Sequence, residues 1–298
     1  MPNNPLTALL QQQPQFVPPQ NGDLITYRDL KYLIGEQIGT GAFGAVYNCW
    51  DEWGNELVAK ILIPQTQTYS QLRNNWMQEF VKLQQLRHPR ITFIHQAFEC
   101  NNNFYLIVEK CESNLNSLFD HVANGSDGEI WLPYIARDVL NALHYIHEHG
   151  YVHKDLHPGN ILISLQKDAM VPSKVPIWQF KIADLGISRL EGDIRLFNTI
   201  LAQWMLPPEH LDPNQFGVLG KHIDIYHFGL LLLGLVVNPL PRFTPAEILE
   251  GEPRKLAENH SSAYAPVIAR ALRRNVSSRT QSALCMWREI SAVAQATY

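Results

Sequence analysis

The hydrophobic pattern of this chain changes period near Cys111, and that change limits the folds open to it. Before it, apolar residues come in short strand-like runs at 32–38, 45–50 and 56–63, separated by glycines at 39–44 and by a turn at 51–55. One helix interrupts them at about 70–86, where Leu72, Trp76, Phe80, Leu83 and Leu86 recur at helical spacing and His88-Pro89 closes the segment. Residues 91–99 and 104–109 read as two further strands around an Asn101-Asn102-Asn103 turn. Beyond Cys111 the spacing is helical: Leu132, Ile135, Val139, Leu143 and Ile146 mark one face of a helix at 131–148. Short strands follow, then an irregular stretch at 191–221, then helices to the end. The expected fold class is α+β and bilobal: a small antiparallel β-sheet lobe with one helix over 24–109, and a larger, mainly helical lobe over 110–298. A Pro-, Gln- and Asn-rich tail at 1–23 reads as flexible.

Composition removes several function classes. With 46% hydrophobic and 17% charged residues, 298 residues can build a sizeable core. The net charge of -4 gives no general reason to expect nucleic-acid binding. Cys49, Cys100, Cys111 and Cys285 are widely spaced without a CxxC pair, which argues against a zinc site or a secreted disulfide framework and for free thiols in a reducing compartment. There is no signal pattern at the N-terminus, and the longest apolar run, residues 228–237, is too short to span a bilayer. The expectation is a cytoplasmic protein without a membrane span.

The chemistry concentrates in His153-Lys154-Asp155-Leu156-His157-Pro158-Gly159-Asn160, which leads into the apolar run Ile161-Leu162-Ile163. An acid followed five residues later by an Asn suits phosphoryl transfer: the acid accepts a hydroxyl proton, and the Asn holds a metal ion on the phosphate. Lys181-Ile182-Ala183-Asp184-Leu185-Gly186 supplies a second acid at a strand end. It reads either as a turn or as a Mg²⁺ ligand beside Asn160. Upstream, Gly39-Thr40-Gly41-Ala42-Phe43-Gly44 is a GxGxxG run followed by a strand, hence a hairpin. It is either an ordinary turn or a loop whose backbone N–H groups approach phosphates. Lys60 stands mid-strand among Leu57, Val58, Ala59, Ile61 and Leu62, as an edge residue or as a buried cation paired with Glu79 on the helix. Glu209 and Arg279 form a second candidate ion pair.

In order and spacing these motifs resemble the eukaryotic-type protein kinase family, serine/threonine branch, over roughly residues 30–290. The resemblance implies that Ile38, Gly39, Gly41 and Gly44 cover ATP and that Lys60, held by Glu79, contacts its α- and β-phosphates. Asp155 would be the catalytic base, with Asn160 and Asp184 binding Mg²⁺ (or Mn²⁺). Val46, Val58 and Leu162 would sandwich adenine, Glu109 to Cys111 would form the hinge, and Val108 would be the gatekeeper. Leu83, His153 and Leu185 would belong to a stacked column. Asp224 would anchor the catalytic loop, and Glu209 would pair with Arg279. The implied partners are ATP and a protein substrate.

Several positions depart from that family. Val58 replaces an Ala, and Lys154 replaces the Arg before the catalytic Asp, so weak dependence on activation-segment phosphorylation is expected. His157 stands where Ser/Thr-specific members carry a Lys, while Pro158 leans towards Ser/Thr. Residues 201–206 lack the usual Thr, and an extra loop occupies 166–176. Ser188 and Thr199 are candidate phosphorylation sites. The 155–160 loop also resembles that of aminoglycoside and choline kinases, so a small-molecule kinase is the alternative. A catalytically weak pseudokinase scaffold is the other.

Overall fold

The computed structural model describes residues 16–41, 44–62, 68–125, 127–166, 176–185, 189–190 and 205–297. Ser188, Thr199, residues 201–204, Gly186, the tip of the glycine hairpin and most of the 166–176 loop lie outside these described residues. The chain falls into two compact units, the first comprising residues 1–87 and 92–110, the second 88–91 and 111–298.

The first unit is built on a six-stranded antiparallel sheet of order β1-β2-β3-β4-β6-β5. Its strands are β1 (Leu24–Tyr27), β2 (Leu30–Gly41), β3 (Gly44–Asp51), β4 (Glu56–Leu62), β5 (Ile94–Cys100) and β6 (Asn103–Glu109). Side chains alternate across a sheet, so one face collects Ile34, Ala45, Tyr47, Cys49, Leu57, Ala59, Ile61, Phe98, Tyr105 and Ile107 into a core. Tyr27, Tyr32 and Tyr105 each stack on Phe98, with ring centroids 4.7, 5.5 and 5.0 Å away. The same register puts Val46, Val58, Lys60, Leu106 and Val108 on the opposite face, because Lys60 pairs with Val46 and Leu106, and Val58 with Val108.

Two loop details follow from local chemistry. Asp51 closes the β3–β4 turn by accepting from the N–H groups of Trp53 and Asn55. Asn101 and Asn102 both take positive φ, the conformation a tight hairpin needs and Asn tolerates, so Asn103 belongs to β6 rather than to the turn. Helix α1 (Tyr69–Gln85) starts from a Thr68–Gln71 capping box and buries Leu72, Trp76, Glu79, Lys82 and Leu83. The Trp76 indole N–H donates to the Tyr105 carbonyl at 3.0 Å.

The second unit is mainly helical. Helix α2 (Leu115–Ala123) is capped by Asn114, and α3 (Leu132–Glu148) buries the predicted stripe of Leu132, Ile135, Val139, Leu143 and Ile146. Helices α4 (Pro208–Leu211) and α5 (Pro213–Phe216) precede α6 (His222–Val237), which is buried along almost its whole length and forms the centre of the unit. The later helices are α7 (Pro245–Glu250), α8 (Glu252–Glu258), α9 (Ala265–Ala271) and α10 (Ala283–Thr297). A hairpin of β7 (Ile161–Gln166) and β8 (Ile177–Ile182) pairs Ile161 with Ile182, so Asn160 and Asp184 emerge at the same end of it.

Two further expectations need correction. The strand expected at 91–99 begins only at Ile94, because Ile91 makes an isolated parallel bridge with Ile182 and the Phe93 N–H goes to the Glu109 carboxylate. The stretch expected to be irregular at 191–221 contains α4 and α5; each has a proline at its start, and Asp212 caps the second. Among the described residues, no helix is long and apolar enough to cross a membrane.

Candidate active site

In the first unit, Lys60 Nζ lies 2.8 Å from Glu79 Oε1, and both side chains are largely withdrawn from solvent. β4 supplies the lysine because an apolar strand surrounds it, and α1 supplies the glutamate from its inward stripe. Separating two such charges would leave one buried without a partner, so each holds the other in place. The glycines differ in what they do. A methyl group on Gly44 would come within 2.4 Å of the Ile61 carbonyl on β4, so the sheet itself demands glycine there. Gly39 has only Val46 Cβ nearby, at 3.8 Å, and leaves open space above that strand. Gly41 pairs with Gly44 at the hairpin end, and Ile38 is exposed. Val46, Val58 and Val108 share the Lys60 face of the sheet. Glu109 is fixed at the end of β6: its N–H donates to Phe93 O at 2.9 Å, and its carboxylate accepts from the Phe93 N–H at 2.6 Å. Leu83 is buried on α1.

In the second unit, the 153–160 segment hangs from Asp224, near the start of α6. This fully buried carboxylate accepts from the His153 N–H at 2.9 Å through Oδ2 and from the Lys154 N–H at 2.8 Å through Oδ1. It also accepts from His147 Nε2 at 2.8 Å. Burial alone would raise its pKa, but the His147 hydrogen bond and the neighbouring charges and N–H groups outweigh that and hold the carboxyl below its ordinary value. With its N–H so fixed, Lys154 sits at φ 75°, and this left-handed turn presents Asp155.

His153 is buried and joins two parts of the site. Its Nδ1 accepts from the Asp155 N–H at 3.3 Å, so its ring proton lies on Nε2, which donates to Ala183 O at 3.0 Å. The Ala183 N–H in turn donates to Asn160 O at 2.9 Å. Ala183 is therefore held from both sides, and Asp184, at φ 59°, is set next to it; Leu185 is buried just beyond. The Asn160 amide donates to Asp155 O at 2.8 Å, which turns the other end of the amide, a carbonyl oxygen, away from that bond. Leu162 and Cys111 are half-buried in this unit.

Asp155 and His157 titrate in opposite senses. Burial pushes the Asp155 carboxyl up, partly opposed by His157 and His153. Burial pushes His157 down, partly opposed by Asp155. A raised carboxylate is a better proton acceptor, which is what a general base requires.

One carboxylate and one amide oxygen at the same end of a hairpin suit Mg²⁺, which takes few protein ligands and completes its shell with water and phosphate oxygens. Among the described residues, no group of three acidic, histidine or cysteine side chains is arranged to hold a metal alone.

The structure also shows residues that the sequence reading passed over. His147 supports Asp224 from α3. Asp138, 2% exposed on the same helix, accepts from the Phe180 N–H at 3.0 Å and pairs with Arg90 at 3.1 Å. A carboxylate inside the apolar stripe of 135–140 was the available signal for Asp138; His147 had none, because its partner lies 77 residues away. Glu209 and Arg279 form a two-pronged pair at 2.6 and 2.7 Å with both side chains at 0% exposure.

The sequence profile described as "Protein kinase domain" matches residues 32–286. Calcium-dependent protein kinase 24 of Arabidopsis thaliana is 29% identical over 244 residues, covering 80% of this chain and 39% of that protein. Cyclin-dependent kinase-like 5 of Mus musculus is 27% identical over 205 residues, covering 68% of this chain and 20% of its own length. Cyclin-dependent kinase-like 4 of Mus musculus is 27% identical over 226 residues, covering 75% and 58% respectively. The chain thus spans less than two thirds of each of these relatives.

Proposed function

Because this chain belongs to the protein kinase domain family, we propose that it transfers the γ-phosphate of Mg-ATP to a serine or threonine hydroxyl of a protein substrate. The observation that carries the reading is the suspension of Asp155 from Asp224, with Asn160 and Asp184 tied beside it through Ala183. In this reading Asp155 orients the acceptor hydroxyl and takes its proton. Its raised pKa favours that role, and His153 and Asn160 fix its backbone. Lys60, steadied by Glu79, holds ATP phosphate oxygens by charge-assisted hydrogen bonds, and Val46, Val58 and Val108, on the Lys60 face of the sheet, give adenine an apolar surface. Asn160 and Asp184 would hold Mg²⁺ (Mn²⁺ being the other ion suited to them), which neutralises phosphate charge as it develops. Glu109 to Cys111 would meet the adenine edge through backbone groups. Pro158 supports serine and threonine as acceptors. A cytoplasmic setting is supported by four free thiols, of which buried Cys49 is pushed up to about 12 by desolvation and so is inert.

The experiment offers labelled Mg-ATP together with protein substrates, tyrosine-containing peptides and small alcohols including aminoglycosides. Label recovered as phosphoserine or phosphothreonine is the expected result. Label on small alcohols alone, on tyrosine alone, or on nothing would overturn the proposal.

A further inference from the structure

His157 is the residue of the 155–160 loop that the proposed mechanism leaves without a task, and its geometry is specific. The Gly159 N–H donates to His157 Nδ1 at 3.1 Å. A nitrogen that accepts carries no proton, so the ring proton lies on Nε2. That Nε2 faces Asp155 Oδ2 at 3.8 Å. The separation is longer than a hydrogen bond, but contacts of catalytic groups are commonly long before substrate arrives and tighten in the reacting complex. The ring packs tightly against residue 159: a methyl group at that position would come within 2.9 Å of His157 Cε1 and 3.2 Å of Nδ1, so the ring would have to shift from its place. His157 also lines a cavity of about 400 Å³ together with Asn116, Phe119, Asp120, Leu240 and Arg242, so one side of the residue has room to move.

We propose that His157 is a positioning residue for the catalytic carboxylate, that its Nε2–H closes on Oδ2 of Asp155 as the acceptor binds, and that Gly159 is required to admit the ring. Oδ2, which already accepts from the Asn160 amide at 3.4 Å, is then engaged from two sides, and Oδ1 is left to take the proton of the acceptor hydroxyl. This inference rests on the kinase reading and deepens it.

The test uses the full chain with Mg-ATP and a mixed serine/threonine peptide library. It compares kcat and KM for ATP in wild type, His157→Leu, His157→Gln, Gly159→Ala and the double variant His157→Leu/Gly159→Ala. Thermal unfolding is recorded for each. His157→Leu should lower kcat by about tenfold or more with KM for ATP changed by less than about threefold. Gln carries an N–H near the position of Nε2, so His157→Gln should recover most of that loss. Gly159→Ala should lose about what His157→Leu loses, and the double variant no more, because both remove one arrangement. Independently of activity, NMR of isotope-labelled histidine should find His157 in the Nε2–H tautomer, with its Nε2 resonance moved by Asp155→Asn.

Undiminished kcat in His157→Leu, a Gln variant no better than Leu, losses that multiply in the double variant, or an Nδ1–H tautomer would each overturn the inference. If a variant is unstable, the tautomer of the wild type decides. A wild type that transfers no phosphate removes the kinase reading and this inference with it, whereas an active wild type beside an equally active His157→Leu removes this inference alone.

Discussion

Replacing Asp224 with asparagine should cost both stability and turnover, by amounts that follow from its hydrogen bonds. The carboxylate is fully buried and accepts two backbone N–H groups, at 2.9 and 2.8 Å, one on each oxygen. Asparagine has one carbonyl oxygen, so its NH₂ group must face one of those donors. The change removes a hydrogen bond to a charged acceptor, about 1.5–3 kcal/mol, and strands a buried N–H, about 1–3 kcal/mol. The sum is roughly 2.5–6 kcal/mol, which for a domain of this size lowers Tm by roughly 10 °C. The left-handed turn at Lys154 (φ 75°) is held by one of these bonds and carries about 1–3 kcal/mol of strain, so it relaxes when that bond is lost. Asp155 is the next residue, and a displacement of about 1 Å there should lower kcat by about a hundredfold. Urea denaturation and steady-state kinetics measure the two effects. A variant less than about 1 kcal/mol weaker than wild type, or with kcat within about threefold of it, would refute the claim that Asp224 suspends the catalytic segment.

Further outcomes are expected elsewhere. Glu209→Ala leaves the Arg279 guanidinium buried without its partner and should cost about 3–5 kcal/mol, whereas the uncharged double variant Glu209→Leu/Arg279→Met should cost clearly less than the sum of the single changes; a double-mutant cycle in denaturant measures this. His227 is fully buried, and desolvation pushes its pKa down to about 4 from 6.5. Below the unfolded value the unfolded chain takes up a proton that the folded one refuses, so stability falls from about pH 6.5 to about pH 4. The loss is about 2 kcal/mol by about pH 5, and His227→Leu should lack this part of the acid sensitivity in denaturation at neutral and acid pH. Gly44→Ala forces a methyl group against Ile61 O and should destabilise by about 1–3 kcal/mol and weaken ATP binding through Lys60, whereas Gly39→Ala, with its nearest neighbour at 3.8 Å, should be tolerated; unfolding and nucleotide titration compare them.

Much of this architecture can be read in the sequence, for identifiable reasons. The strands of the first unit and the stripe of α3 are set by period, and a long amphipathic run has few alternatives. The Lys60–Glu79 pair is legible because a lysine inside an apolar strand and a glutamate inside an apolar helix stripe each need a partner. Helices α4 and α5 are not legible, because four residues are too few to show a helical period; proline starts and an Asp cap are the remaining signals. The late start of β5 depends on Glu109 capturing the Phe93 N–H, a contact across 16 residues that no local pattern encodes. His147 and Asp138 show the same limit at the site: their partners come from distant elements, and only folding brings them together. The glycine run could be read as a phosphate loop or a plain hairpin, and Gly44 shows that one of its glycines serves the sheet regardless of ligand.

The central claim, that Asp155, Asn160 and Asp184 are one phosphoryl-transfer centre, is tested most directly by transfer of labelled γ-phosphate to a serine/threonine peptide library, with Mg²⁺ titrated. Wild type is measured beside Asp155→Asn and Asp184→Asn. The account predicts Mg-dependent labelling by wild type and a loss of about a hundredfold or more in each variant, with both variants still folded by thermal unfolding. Labelling by wild type no greater than by Asp155→Asn, or labelling indifferent to Mg²⁺, would contradict it.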